Sequence, residues 1–255
     1  MNYILVVGAG GFIGKHLSSY FGTQVIPIFK DTLDILDTAR VRDFLKTNKC
    51  HTVINCVTHG GKKPITITDL SIVRKNLIIF NSFYSNRDCF DKYINIGSGA
   101  EFNSSLYSYG VSKKIITDFC QTTDNFYTLR LFGCFGKEEP NYRLFTSYLK
   151  NTSSTYTVQN KLFDNMSIQD FCKIVEYYTK DNTHKYKSMD CVYQEKTSVL
   201  EQIKKLQKIT GIYKELHVSK DLDYVGDSTK LDSLKLFLDG LDKGLEQYKG
   251  LNKNE

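Results

Sequence analysis

The sequence predicts an α/β protein in which helices cover both faces of a doubly wound parallel sheet, followed by a small C-terminal α+β lobe. Short apolar runs alternate with amphipathic helical patterns through the first half, which is typical of a parallel sheet covered by helices. After Gly136 this alternation stops and the segments become shorter. The 255 residues, 41% of them hydrophobic, are enough to bury one large core and an appended lobe.

Five strands and four helices are predicted in the first half, in the strand–helix–strand order of a doubly wound sheet. The strands are placed near 3–7, 24–29, 52–57, 92–97 and 126–132. The helices are placed near 12–21, 38–48, 69–87 and 108–123.

The second half has its own pattern of shorter elements. Apolar residues at helical spacing predict helices over Arg143–Asn151, Ile168–Lys180 and Ser198–Thr210, and Gly211 ends the last of these. We also predict short strands and one C-terminal amphipathic helix. The strands are placed near 155–163, 189–194 and 214–218, and the helix over 229–247.

Composition and charge exclude several classes of protein. The net charge is +6, from 34 basic and 28 acidic residues that are dispersed along the chain, which argues against a nucleic acid partner. The apolar run Ile4–Val7 passes directly into Gly8, so it resembles a buried strand and neither a signal peptide nor a membrane span. Seven cysteines show no metal-ligand spacing with the five histidines. We therefore expect a cytoplasmic protein with reduced thiols, no metal and no membrane partner.

A glycine-rich turn follows the first strand and opens the first helix. Gly8, Gly11 and Gly14 have the spacing G-x-x-G-x-x-G. Glycines in such a turn allow the main chain to approach a pyrophosphate and the helix to pack closely on the strand. The free N–H groups at the start of the helix, near Phe12 and Ile13, then face the phosphates, so the turn predicts a dinucleotide site.

A Tyr-x-x-x-Lys pair opens the fourth predicted helix. Residues four apart share one helix face, so Tyr109 and Lys113 lie together. The ammonium favours the phenolate, which suits a tyrosine that gives its proton to a developing alkoxide. Tyr107 is a poorer candidate, because Val111 stands four residues after it.

The fourth strand ends at the sheet edge where open α/β sheets bind ligands. Ser98 stands there, in the segment 94–102, and is placed to hydrogen-bond a substrate carbonyl.

These three features, in this order, resemble the extended short-chain dehydrogenase/reductase family of the NAD-dependent epimerase/dehydratase type. The resemblance also takes in 53–57, Asn76, Asn81 and 129–136, and continues weakly through 163–171. It implies a Rossmann-type NAD(P)-binding domain at 1–136, to which later segments return, and a trimmed substrate lobe at 137–255. Family members commonly form homodimers through the two helices placed here near 69–87 and 108–123.

The resemblance narrows the reaction. Family dehydratases have Asp and Glu after the Ser98 position, where this chain has Gly99 and Ala100. Ala100 also replaces the cysteine of fucose-synthase-like epimerase/reductases. The hydride-transfer set of Ser98, Tyr109 and Lys113 remains, which implies reduction of the C4 ketone of a nucleotide-linked 4-keto-6-deoxy sugar, as in deoxysugar biosynthesis.

Three alternatives stay open. A redox-neutral nucleotide-sugar epimerase, either a C4 epimerase or a bifunctional 3-epimerase/4-reductase, uses the same catalytic set. A non-catalytic NAD(P)-binding sensor keeps the glycine turn but needs no Tyr/Lys pair. A regulatory subunit of a sugar-modifying complex would not turn over.

Further binding residues follow from the same resemblance. Lys30, after the second strand, favours NADP(H) over NAD(H), whereas the adjacent Asp31 suits NAD(H) if the strand ends one residue later. The segment Asp34-Ile35-Leu36 resembles the adenine-contacting segment, and Asp37 is also a candidate helix N-cap. For the substrate we expect contacts from Ser98, Gly99 and Ala100, and from Arg143 if it pairs with the diphosphate instead of lying in solvent.

Overall fold

The computed structural model describes residues 3–61, 69–180 and 184–250. Ten strands are present among these residues. They are β1 (Tyr3–Val7), β2 (Val25–Ile28), β3 (Cys50–Asn55), β4 (Lys92–Ser98), β5 (Phe126–Leu131), β6 (Gly133–Phe135), β7 (Thr155–Asn160), β8 (Asn165–Ser167), β9 (Ser188–Asp190) and β10 (Glu215–Lys220).

Nine α-helices are present in the same ranges. They are α1 (Phe12–Phe21), α2 (Thr38–Asn48), α3 (Leu70–Tyr84), α4 (Ser108–Thr122), α5 (Leu144–Lys150), α6 (Ile168–Lys180), α7 (Val199–Thr210), α8 (Thr229–Ser233) and α9 (Gly240–Leu245). A 3₁₀ segment, Gly99–Leu106, joins β4 to α4.

The main sheet has six strands in the order β2-β1-β3-β4-β5-β9. The pairings of β1 with β2, β1 with β3 and β3 with β4 are parallel. The order reverses direction at β1, so the fold is a doubly wound Rossmann-type sheet. The predicted fold class and the five strands predicted for the first half are confirmed.

The chain divides into two compact units. The first unit comprises Met1–Arg130 and Val175–Met189, and the second comprises Leu131–Ile174 and Asp190–Glu255. The second unit contains two small parallel sheets, which pair β7 with β10 and β6 with β8.

Each unit has its own core. In the first unit, fully buried strand residues such as Leu5, Val53 and Tyr93 pack against Phe80 and Phe83 of α3. In the second, α5 and α7 bury Phe145, Tyr148 and Ile203 together. Burial of these large side chains is the main stabilising contribution in each unit.

Helix ends follow local rules that the sequence already indicates. Ser198 and Glu201 form a capping box at the start of α7, and Gly211 ends that helix at a φ of 71°. The Asp37 side chain accepts hydrogen bonds from the Ala39 and Arg40 amides and so caps α2.

The single C-terminal helix predicted over 229–247 is wrong. The chain forms two short helices, α8 and α9, instead. Lys235 and Gly240 have positive φ values of 53° and 83°, and this left-handed backbone interrupts the helix between them. The strand predicted near 189–194 is also shorter, since β9 ends at Asp190.

Hydropathy along the described helices gives no 18-residue stretch that is apolar enough to cross a membrane.

Candidate active site

The glycine-rich turn after β1 is held by main-chain hydrogen bonds. The Gly8 and Ala9 amides both donate to the Ile28 carbonyl oxygen at 3.0 Å, and the Gly11 amide donates to the Gly8 carbonyl oxygen at 3.0 Å. A Cβ on Gly14 would lie 2.2 Å from the Gly8 carbonyl oxygen. The close packing of α1 on β1 therefore excludes any side chain at position 14.

The start of α1 fits a pyrophosphate. Its N-cap is Gly11, which has no side chain to accept hydrogen bonds from the first turn. The amides near Phe12 and Ile13 therefore stay available to phosphate oxygens at the positive end of the helix dipole.

The end of β2 places Lys30 two residues beyond the strand. Ile28 is the last strand residue, and Phe29 directly follows it. The Phe29 ring lies 3.5 Å from where a Cβ on Gly10 would stand. Lys30 and Asp31 are both exposed.

The Asp34–Leu36 segment forms a local turn before α2. The Leu36 amide donates to the Asp34 carboxylate at 3.0 Å, and Ile35 packs against the core of the first unit. Contact of this segment with an adenine remains a prediction.

Tyr109 and Lys113 lie one turn apart near the start of α4. The Lys113 side chain is buried, and its ammonium donates to the Ile96 carbonyl oxygen at 2.8 Å. The same Nζ lies 5.8 Å from the centre of the half-buried Tyr109 ring. Ile96 is two residues before Ser98, so this hydrogen bond ties α4 to the end of β4.

Ser98 ends β4 and is half-buried. Its hydroxyl oxygen accepts a hydrogen bond from the Ala100 amide at 3.2 Å. Gly99 is buried and Ala100 half-buried, and neither carries a proton-transfer group.

A second glycine loop follows β3 and packs against Tyr109. Gly60 and Gly61 have φ values of 87° and 80°. A Cβ on Gly61 would lie 3.1 Å from Cζ of Tyr109. The loop therefore forms one wall of the space that the Tyr109 ring occupies.

Asn76 of α3 connects this loop to α4. Its Oδ1 accepts from the His59 amide at 2.7 Å, and its Nδ2 donates to the His59 carbonyl oxygen at 3.0 Å and to the Ser112 hydroxyl at 2.8 Å. The Ser112 hydroxyl donates in turn to the Tyr109 carbonyl oxygen at 2.7 Å. Asn76 is only 3% exposed. From inside the unit it connects the loop after β3 to α4, and these two segments flank the space that holds the Tyr109 ring, here called the Tyr109 pocket.

Glu101 lies below the Ser98 turn. Its Oε1 accepts from the Ser98 amide at 3.0 Å, and its Oε2 lies 3.6 Å from Nη1 of Arg130 on β5. A Cβ on Gly97 would lie 2.7 Å from the Glu101 Oε1, so the absence of a side chain there makes room for the carboxylate.

Arg143 belongs to the second unit, where it is the N-cap residue of α5. It is half-buried, and its Nη1 donates to the Cys134 carbonyl oxygen at 3.2 Å. Cys134 itself is buried, and this burial raises the pKa of its thiol.

The family resemblance in the sequence included Asn76 without giving it a role, and sequence reasoning assigned no role to Glu101 or the Gly60–Gly61 pair. A polar Asn76 on the apolar face of α3 was the available signal, because buried amides in helices normally have a hydrogen-bonding task. Glu101 carries no comparable signal, since a glutamate in a polar loop is ordinarily solvated.

One protein-family profile matches more than half of the chain. The profile of the NAD dependent epimerase/dehydratase family matches residues 4–177. A search of curated protein sequences finds no match for this chain.

Solved structures share the fold at low sequence identity. A GDP-D-glycero-L-gluco-heptose synthase from Campylobacter jejuni has a TM-score of 0.83 at 16% identity, covering 97% of both chains. A dTDP-4-dehydrorhamnose reductase from Bacillus anthracis has a TM-score of 0.77 at 14% identity, covering 97% of this chain and 99% of its own. A UDP-glucose 4-epimerase from Brucella ovis has a TM-score of 0.79 at 16% identity, covering 96% of both chains.

The family profile spans the glycine turn, the end of β4 and the Tyr/Lys pair, which are the segments that carried the resemblance in the sequence. The chain belongs to the NAD dependent epimerase/dehydratase family.

Proposed function

We propose that this protein is an NAD(P)H-dependent reductase of the C4 ketone of a nucleotide-linked 4-keto-6-deoxy sugar. The observation that carries the proposal is the pairing of Lys113 with Tyr109 beside the Ser98 end of β4. Gly99 and Ala100 follow Ser98, so the chain lacks the acid and base of a dehydratase at those two positions. It keeps the groups that hydride transfer requires.

Each catalytic residue has one task. The Ser98 hydroxyl donates a hydrogen bond to the ketone oxygen and orients it. Tyr109 gives its phenolic proton to the same oxygen as negative charge develops there. The Lys113 ammonium stabilises the phenolate that remains and also holds the nicotinamide ribose. When bound, the reduced nicotinamide supplies the hydride to C4.

The cofactor site consists of the glycine turn and the two segments after β2. The pyrophosphate is held by the turn and the start of α1, at Gly8, Gly11, Phe12, Ile13 and Gly14. The adenine is contacted by the segment Asp34-Ile35-Leu36. We propose NADP(H) over NAD(H), because the exposed Lys30 suits a 2′-phosphate. Structural relatives crystallised with NADPH or NADP support this choice, although others hold NAD.

The remaining assignments complete the proposal. Residues 1–136 bind the cofactor and 137–255 mainly bind the nucleotide-diphosphate sugar, with Gly99, Ala100 and Arg143 among the contacts. The protein is a homodimer through α3 and α4, where the Phe119 ring is 45% exposed. It acts in the cytoplasm, in keeping with seven cysteines that form no disulfide among the described residues.

A spectroscopic assay tests the reaction. Purified protein is mixed with NADPH or NADH and a GDP- or dTDP-4-keto-6-deoxyhexose, and absorbance of the reduced nicotinamide is followed. We expect one NADPH or NADH to be oxidised for each ketone reduced. The rate of oxidation falls by roughly 10²–10⁴-fold in Tyr109→Phe, because the proton donor is lost. Tyr107→Phe is the matched control and keeps the wild-type rate.

The outcomes separate the candidate functions. Conversion of a UDP- or dTDP-sugar to its epimer without net oxidation of NADPH would replace the reductase by a redox-neutral epimerase. Wild-type turnover that survives in Tyr109→Phe would overturn the catalytic assignment. Nucleotide binding without turnover on any such sugar would indicate the sensor instead.

A further inference from the structure

We propose that Glu101 is a positioning residue of the active site, whose ionised carboxylate holds the Ser98 turn and balances the charges of Arg130 and Lys113. The proposal rests on the proposed function only for its kinetic part. Its structural part concerns the Ser98 amide and can be tested without any substrate.

The carboxylate is enclosed by three elements of the first unit. The Ser98 amide reaches it from the end of β4 at 3.0 Å, and Arg130 reaches it from β5 at 3.6 Å. Lys113, Thr117 and Cys120 face it from α4. Glu101 itself is only 3% exposed, so a carboxylate in this position is structurally costly unless it has partners.

The hydrogen bond to Ser98 has a direct consequence for the substrate site. The Ser98 amide is fixed from below by Glu101 while the Ser98 hydroxyl accepts from the Ala100 amide above the turn. Both main-chain anchors of the turn therefore lie within three residues of the hydroxyl that we assign to the ketone. A charged acceptor makes a stronger hydrogen bond than a neutral one, so the ionised form holds the turn more firmly.

Charge balance gives the second reason for a carboxylate. Lys113 is buried, and Arg130 is mostly buried, with its Nη1 3.6 Å from the Glu101 carboxylate. Two cations in a site of low polarity repel each other, and a carboxylate close to both of them offsets this repulsion. Glu101 supplies a buried negative charge near both of them in the described part of this unit.

Burial raises the pKa of Glu101 from its ordinary value to about 6, against the opposing effects of the Ser98 amide and Arg130. Burial also raises the pKa of the neighbouring Cys120 thiol to about 12, so this thiol stays protonated over the same range. Near pH 6, the group in the cluster that changes charge is therefore Glu101.

The first experiment follows backbone amides by ¹⁵N–¹H NMR between pH 5 and 8. We expect the chemical shift of the Ser98 amide to change with pH, with a midpoint near the Glu101 pKa of about 6, because its N–H donates to that carboxylate. In Glu101→Gln, which keeps the acceptor oxygen and loses the charge, the titration disappears. The Thr146 amide is the internal control, since it donates to the separate buried carboxylate of Glu139 and keeps its behaviour in the variant.

The second experiment measures kcat for NADPH oxidation over the same pH range. We expect the wild-type kcat to rise through about pH 6 and then level, with a value at pH 5 about tenfold below the plateau, as for a single group one pH unit below its midpoint. The kcat of Glu101→Gln does not change with pH and stays at or below the wild-type value measured at pH 5. Arg130→Met moves the wild-type midpoint upward, because the ion pair that favours ionisation is gone.

The outcomes are distinguishable. A Ser98 amide that does not titrate, or that titrates equally in Glu101→Gln, overturns the structural assignment whatever the enzyme does. Wild-type turnover with the same pH profile in Glu101→Gln overturns the kinetic role alone. An absence of wild-type turnover overturns the proposed function and leaves the NMR result to decide the Glu101 assignment.

Discussion

The loop after β1 and the loop after β3 both depend on glycines, but for opposite reasons. At Gly14, where the first loop has passed into α1, the groups that exclude a side chain belong to that same turn: a Cβ would meet the Gly8 carbonyl oxygen at 2.2 Å and the Ala9 Cα at 2.9 Å. In the second, a Cβ on Gly61 would meet the ring of Tyr109, which is 48 positions further along the chain.

This difference explains which loop can be recognised from sequence. The first requirement is local, so the spacing of the glycines records it. The second arises only when Tyr109 of α4 packs against the loop after β3, and Gly60–Gly61 has no spacing that distinguishes it from an ordinary turn. Asn76 belongs to the second kind of feature, since its partners are spread over the His59 loop and Ser112.

The largest effect is expected at Gly14. The Gly14→Ala methyl group clashes with main-chain atoms that cannot rotate away, so α1 must move from β1. We expect the free energy of unfolding to fall by about 3 kcal/mol, at the upper end of the usual overpacking cost. Urea denaturation measures this change, and an unfolding midpoint equal to that of the wild type would contradict the close packing of α1 on β1.

Asn76→Ala comes next. The substitution leaves the buried His59 amide and carbonyl without their partner, and we expect a loss of about 2 kcal/mol in the free energy of unfolding. Asn81→Ala on the exposed part of the same helix is the matched control, with an expected change below about 0.5 kcal/mol. An equal decrease in the free energy of unfolding in the two variants would show that Asn76 does not stabilise the loop after β3.

Gly61→Ala is expected to lower both stability and catalysis. The left-handed backbone costs roughly 1–2 kcal/mol for a residue with a side chain. The Tyr109 ring must also shift by a few tenths of an ångström, and we expect kcat to fall roughly tenfold, since a full 1 Å misplacement costs about 10²-fold. Steady-state kinetics together with NADPH titration by fluorescence checks this; a fall in NADPH affinity with an unchanged kcat would contradict it.

Gly11→Ala is the smallest change in stability and sharpens the comparison within the first loop. The new Cβ would lie 3.4 Å from the Gly8 carbonyl oxygen, an ordinary contact, so the free energy of unfolding should change by less than about 0.5 kcal/mol. The dissociation constant for NADPH should nevertheless rise, because the methyl group stands where the main chain approaches the pyrophosphate. Isothermal titration calorimetry measures this constant, and a value equal to that of the wild type would show that Gly11 is not part of the cofactor site.

Much of the first unit could be predicted because its signals are local. Apolar runs became β1, β3 and β4 with ends close to those expected, and Asp37 marked the start of α2 by its own side-chain chemistry. In the second unit, Gly211 marked the end of α7 in the same local way. The C-terminal region was predicted less well. Its periodicity was helical throughout, but positive φ values at Lys235 and Gly240 divide the helix, and a lysine gives no warning of that conformation.

The sequence by itself determined the doubly wound sheet, the glycine turn and the Tyr109–Lys113 pair, since each depends on residues that are neighbours along the chain or along one helix face. Only the tertiary structure decided that Asn76 braces the Tyr109 pocket and that Glu101 lies under Ser98 beside Arg130. These contacts join different strands and helices. Burial and pairing of a polar side chain depend on which elements surround it, and no local pattern in the chain records that arrangement.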